Sequence, residues 1–304
     1  MVYNMKKILC IAETCCDIIF GKLDKIPTLG EEEYCKHFYI KAGGGANTPM
    51  GLSRLKVATR FLTRLGNDPM GRIVLDELTA SGLDKDGFCL EEGISTPVSA
   101  VMSTLEDRCF ASYGGDGGAF VTKEQLEYQI SLTDHVHTYI GYCLTYPILD
   151  LCKKYNKTLS VDTSWIEQPK LSELEPILSY ASFFTPNEKE ALLISGTKNT
   201  KDALSVLSTL TPGVVITLGD QGSMARINGS DYRQSSVYYG QPVDTTGAGD
   251  LYCSGLLYGF SHGYDLKKSM EFASHTSGLC VTYYGGIDEI FSLKNLKFGN
   301  SNIE

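Results

Sequence analysis

The chain has no run of 18 apolar residues, so it offers no candidate membrane-spanning helix. Basic residues are also short: 27 Lys and Arg stand against 36 Asp and Glu, a net charge of -9 with no basic stripe. That balance argues against nucleic acid or an anionic membrane as the principal partner. Proline is sparse at 10 residues, and no linker, low-complexity tract or internal repeat interrupts the chain. The 10 cysteines contain no C-x-x-C and follow no framework spacing, so they read as reduced thiols of a cytoplasmic protein. Met5-Lys6-Lys7 before an apolar stretch has the look of a signal peptide, but Glu13 and Asp17 break it. Lys7 to Phe20 reads instead as a first strand.

Several chemistries lack their motifs. G-x-x-x-x-G-K-[ST] is absent, and the nearest matches to G-x-G-x-x-G carry Thr48 and Tyr252 where the third glycine should stand. A nucleotide-binding oxidoreductase is therefore disfavoured. H-E-x-x-H, G-x-S-x-G and the H-R-D with D-F-G pair do not occur. The histidines are scattered; His135 and His137 would share one face of a strand and read as structural rather than as a metal site.

Glycine is in excess, 31 of 304 residues against a usual ~7%. It bunches at 43–45, 114–118, 247–249 and 285–286, where backbone must turn sharply or approach a ligand. The remaining 42% apolar and 21% charged composition is that of an ordinary globular protein. Short β-branched runs near 7–17, 59–65, 135–140, 158–162, 182–185 and 213–218 alternate with segments of helical period. The helical segments lie near 46–57, 69–81, 122–131, 147–155, 187–195, 200–210, 249–262 and 266–283. Such alternation predicts an α/β fold around a mostly parallel sheet. Tyr34–Lys41 and Val98–Tyr113, the latter turning at Glu106-Asp107-Arg108, fall outside it and suggest a small antiparallel sheet.

Asp244-Thr245-Thr246-Gly247-Ala248-Gly249-Asp250 opens an almost wholly apolar helix. Free amides at such an N-terminus, with the helix dipole behind them, form an anion site. Asp250 in the first turn is able to accept a proton from a substrate hydroxyl, or else merely complements the dipole. Gly43-Gly44 lets backbone approach a polyol, and Asn47 offers a donor and an acceptor, or caps a helix. Asn187 with Glu190 three residues on is a capping box.

These strings together resemble the ribokinase-like (phosphofructokinase B) family of sugar and nucleoside kinases over nearly the whole chain. The resemblance implies a three-layer α/β/α domain over residues 1–304 with lid strands at roughly 31–41 and 95–115, and a homodimer joined through the lid. It implies ATP and Mg²⁺, with Asp250 as base and Gly247, Ala248 and Gly249 as the anion hole. Asp17, at the carboxyl end of the first strand, would hold the acceptor with Gly43, Gly44 and Asn47. Asn187, Thr217, Gly219, Gly222 and Ser274 would take the nucleotide, and Glu190 would organise Mg²⁺ through water. Asp244 and Thr246, with carbonyls of 281–286, would hold K⁺. Ala12 and Cys15 depart from the family pattern and weaken a ribose assignment. The acceptor reads as a neutral sugar, with a nucleoside as the alternative; Arg60, Arg64 and Arg108 keep a sugar phosphate open. A catalytically silent binding scaffold is a further alternative.

Overall fold

The computed structural model of the protein describes residues 5–104, 108–117, 119–163 and 170–298. The chain opens with strands β1 (Ile8–Ile11), β2 (Thr14–Gly21) and β3 (His37–Gly44) and helix α1 (Asn47–Arg54). β4 (Thr59–Gly66), α2 (Pro69–Ala80), β5 (Phe88–Glu91), β6 (Val98–Ser103) and β7 (Arg108–Tyr113) follow. Then come α3 (Lys123–Ser131), β8 (His135–Tyr139), α4 (Ile140–Thr145), α5 (Ile148–Lys154), β9 (Thr158–Asp162) and α6 (Leu171–Leu178). α7 (Glu188–Ser195), α8 (Thr200–Leu207), β10 (Gly213–Thr217), β11 (Ser223–Ile227), β12 (Ser230–Gln234), α9 (Ala248–Ser261) and α10 (Leu266–Cys280) complete it.

The main sheet runs β5-β4-β1-β8-β9, all parallel. Phe184 continues it by bridging Val161 and Val214, and β11 and β12 add an antiparallel edge beyond β10. Two-residue periodicity divides the core. Ile8 and Cys10 join a cluster with residues of α1, α2, α9 and α10, while Leu9 and Ile11 join one with residues of α3, α5, α6, α7 and α8. Helices thus cover both faces, giving the three-layer α/β/α architecture. A second sheet, β3-β2-β6-β7, stands apart as the lid. No helix among the described residues is long and apolar enough to cross a membrane.

The structure corrects several expectations. Lys7–Phe20 is two strands broken at Ala12-Glu13: β1 is buried on both faces, whereas burial in β2 alternates and β2 pairs with β3. Asp17 therefore lies within a lid strand, not at the carboxyl end of a core strand. The lid sheet is mixed, because β6 runs parallel to β2. Its chain arrives through α2 and β5 and so enters in the direction of β2. The first lid segment pairs as 37–44 rather than 34–41. Residues 106 and 107 of the expected turn lie outside the described residues. The segment 182–185 contributes a bridge residue instead of a strand. α4, α6, β5, β11 and β12 were not anticipated; each is short, and β11 and β12 mix polar with apolar residues.

The start of α2 follows its local chemistry. Asp68 Oδ1 accepts from Gly71 N (2.7 Å) and Pro69 takes the first helical position. Asp68 Oδ2 accepts from Thr96 N (2.7 Å), tying the helix to the segment that feeds β6. Replacing Asp68 with Ala removes both bonds and should cost about 1–3 kcal/mol. A denaturant midpoint unchanged in Asp68→Ala would contradict that role.

Candidate active site

The seven residues before and into α9 form a braced loop. Gly247 has φ of +74°, a region that favours glycine, and a Cβ there would stand 2.5 Å from Gly286 Cα. The loop can lie so tightly on the 285–286 segment only without that carbon. Asp244 locks the two together: its Oδ1 accepts from Thr246 N (2.9 Å) and Oγ1 (2.8 Å), and its Oδ2 from Gly285 N (2.9 Å). α9 itself is apolar on nearly every side, which is why it is buried along its length. At its first turn the Ala248 amide donates to the Thr245 carbonyl (3.2 Å), and Gly247, Ala248 and Gly249 line the cleft above it.

Asp250 stands at that helix head. Asn47 Nδ2 donates to Asp250 Oδ2 (3.1 Å), and Thr48 Oγ1 donates to the Asp250 carbonyl (3.2 Å). Burial pushes its carboxyl up to about 6, with the carboxylates of Asp17 and Glu190 adding to the rise and Asn47 and Tyr139 opposing it. Asn47 is not a cap: the N-cap of α1 is Ala46, without a side-chain bond. Its Oδ1 is buried with no partner, and a Cβ on Gly286 would fall 2.0 Å from it. Asp17 rests on Gly43 in the same way, since a Cβ there would be 2.1 Å from Asp17 Oδ2. Cys15 Sγ donates to Asp17 Oδ1 (3.1 Å), and burial pushes Asp17 up to about 6.

A cleft of ≈ 940 Å³ runs from Gly44 and Asp250 past Gly247–Gly249 to Thr217, Gly219, Gly222 and Ser274. It lies at the carboxyl ends of β8, β9 and β10, where open α/β sheets take ligands. The Ser274 Oγ is buried without a partner, an orphan hydroxyl at the nucleotide end assigned from the sequence. Asn187 and Glu190 form the reciprocal cap, Glu190 N donating to Asn187 Oδ1 (3.0 Å) and Asn187 N to Glu190 Oε2 (2.8 Å). Both also line the cleft, so cap and site coincide. Asp17, Gly43 and Asn47 do not line this cleft but lie beside it, whereas Asp244 and Thr246 are buried behind the loop.

Sequence reasoning missed Asp162, Glu13, Tyr139 and Tyr142, all of which line the cleft. Asp162 ends β9 at the ligand-binding edge, a position that would have flagged it. Burial first, and then the Glu190 carboxylate, raise its proton affinity well above the ordinary range. The lid also reaches the loop directly, Arg108 Nη1 donating to Thr245 Oγ1.

Residues 5–291 match the pattern of the pfkB family of carbohydrate kinases. The chain belongs to that family. As a pfkB-family carbohydrate kinase it is a phosphotransferase with an alcohol group as acceptor. It is 26% identical to a ribokinase of Schizosaccharomyces pombe, over 83% of this chain and 83% of that one. Its fold superposes with a TM-score of 0.80 on Arabidopsis thaliana ribokinase complexed with ribose and ATP, at 23% identity, covering 97% of this chain and 99% of that one. Adenosine kinase from Sinorhizobium meliloti superposes with a TM-score of 0.79 at 19% identity, covering 94% and 97%.

The hydrogen bond from Asn47 favours the ionised form of Asp250. In the pfkB-family chain without ligands, Asp250 should be half-protonated near pH 6, ionised above and neutral below. Asn47→Ala removes an opposing influence and should move the titration to higher pH. A carboxyl-carbon NMR titration tests this; an unchanged midpoint in the variant would contradict the assignment.

Proposed function

We propose that this protein transfers the γ-phosphoryl group of ATP to a hydroxyl of a neutral sugar, with Asp250 as general base. The observation that carries the reading is the Asp250 carboxylate at the head of α9, lining one cleft with the glycine-rich backbone of Gly247, Ala248 and Gly249. A bound hydroxyl near Asp250 loses its proton to the carboxylate as it attacks. The Gly247, Ala248 and Gly249 backbone stabilises charge on the transferring group, which is the larger part of such catalysis. Asp17 and Asn47, each packed against a glycine, orient the acceptor with Gly43 and Gly44. Thr217, Gly219, Gly222 and Ser274 hold the nucleotide, and the orphan Ser274 hydroxyl is available to its base.

A divalent cation fits the donor set. Glu190 and Asp162 supply oxygen ligands only; burial raises the proton affinity of both, the Glu190 carboxylate raises that of Asp162 further, and a bound cation relieves these penalties. Mg²⁺ would neutralise phosphate charge there, with Glu190 acting through water and Asn187 beside it. Behind the loop, the carbonyls of Thr246 and Gly286 both converge on Cys280 Sγ, at 3.5 and 3.4 Å. One thiol proton serves only one of them, so an acceptor is spare for K⁺ near Asp244 and Thr246. The lid over the cleft, latched by Arg108 on Thr245, would exclude water during transfer.

The acceptor is inferred from what surrounds it. Arg60 is engaged with Gln129 and Asp86, and Arg64 with the carbonyls of Gly117 and Ala119. Lys41 faces Glu77 (3.7 Å). None of these three lines the cleft; its cations are Arg108, which donates to Thr245, and Lys189, beside Asn187 and Glu190 in the nucleotide and Mg²⁺ region, an arrangement that does not favour a sugar phosphate. The lid aromatics Phe38, Phe110 and Tyr113 are about half exposed and do not line the cleft. Tyr139 and Tyr142 do line it, and they keep a nucleoside as the second reading.

ADP release against a panel of sugars, sugar phosphates and nucleosides tests the acceptor, and a rate stimulated by none of them would favour a silent binding scaffold. Asp250→Asn should retain nucleotide binding and lose several decades of kcat; turnover within tenfold of the parent would remove Asp250 as base. Replacing Na⁺ with K⁺ should raise the rate, and equal rates in both would remove the cation assignment.

A further inference from the structure

Beneath the cleft lies a cluster that joins Asp162, at the divalent-cation position, to two side chains that phosphoryl transfer does not use. His137 on β8, Asp162 at the end of β9 and Cys253, one turn into α9, each offer a ligand atom, and the three lie within 4.8 Å of one another. His137 Nε2 is 3.4 Å from Cys253 Sγ. Tetrahedral zinc with Zn–N near 2.0 Å and Zn–S near 2.3 Å separates such a pair by about 3.5 Å. The imidazole is already oriented for this, because its Nδ1 is 2.9 Å from Ser160 Oγ. With Nδ1–H donating to Ser160 Oγ, which also contacts His135 Nε2 (2.8 Å), the Nε2 lone pair faces Cys253, the outer support that zinc-bound histidines require. Asp162 and Cys253 line the cleft, so an ion enters from that side and a fourth position stays open to water.

We propose that His137, Asp162 and Cys253 form an inhibitory binding site for Zn²⁺ or an ion of like softness, which shares Asp162 with the oxygen-only Mg²⁺ position. Thiolate and imidazole select such ions, whereas Mg²⁺ demands oxygen ligands. On binding, the Cys253 S–H proton leaves to solvent, the thiolate and the neutral imidazole become ligands, and the Asp162 carboxylate turns to complete the set. That turn draws Asp162 away from Glu190, which is why the ion inhibits. The inhibition rests on the kinase reading; the binding does not.

Co²⁺ is the probe for binding, since a cobalt–thiolate bond adds a near-ultraviolet charge-transfer band. Titration of the intact protein should give that band at one Co²⁺ per chain, bleached by one equivalent of Zn²⁺. Cys253→Ala should abolish the band, and His137→Gln should weaken Co²⁺ binding at least tenfold, both with unchanged far-ultraviolet dichroism. Absence of the band in the parent, or its persistence in folded Cys253→Ala, overturns the site. In ADP-release assays Zn²⁺ should inhibit the parent reversibly with chelator, at concentrations at least tenfold below those needed for His137→Gln. Binding without inhibition would remove the regulatory role and leave the site; absence of any acceptor-stimulated rate would count against the kinase reading instead.

Discussion

Everything at the site depends on burying a helix that is apolar on nearly every side while leaving its N-terminus facing a cleft. α9 is enclosed by α1 and α10 and packed beneath the main sheet, so neither its axis nor its register can shift without opening the core. Its first turn is thereby a fixed point, and the amides and the carboxylate it carries need no reorganisation when charge develops. A mobile loop bearing the same seven residues would present the same groups without that advantage.

Fixing one helix head imposes demands on its neighbours, and glycines meet them. Gly286 makes room for the Asn47 amide that holds Asp250, Gly43 for the Asp17 carboxylate, and the missing Cβ of Gly247 lets its loop lie on the 285–286 segment. Chain segments far apart in sequence therefore meet at the site, Asn47 bonding the Asp250 carboxylate and Gly286 packing on Asn47. The same crowding gathers Asp162, Glu190 and Asp250 around the cleft, where burial raises the proton affinity of each and neighbouring carboxylates add to the rise at Asp162 and Asp250. Acidic groups held under such strain are poised for a cation and for a proton.

The alternation of β-branched runs and helical segments foretold the parallel sheet, because β1 and β10, buried on both faces, carry continuous apolar stretches. Asp68-Pro69 and Asn187 through Glu190 foretold two helix starts, because capping is decided by residues three apart. Lys7–Phe20 misled because a strand leaving one sheet for another stays extended; only its pairing changes, and pairing is not local. β11 and β12 escaped notice because an exposed edge needs neither continuous apolarity nor strict alternation.

The sequence by itself determined the loop, its helix and the glycines around them, since a short motif carries its own backbone requirements. Tertiary structure alone decided which groups meet. Asn47 lies 203 positions from Asp250 and His137 lies 116 from Cys253. Whether a side chain caps its own helix or reaches another is settled by the packing of those helices, which no local pattern encodes.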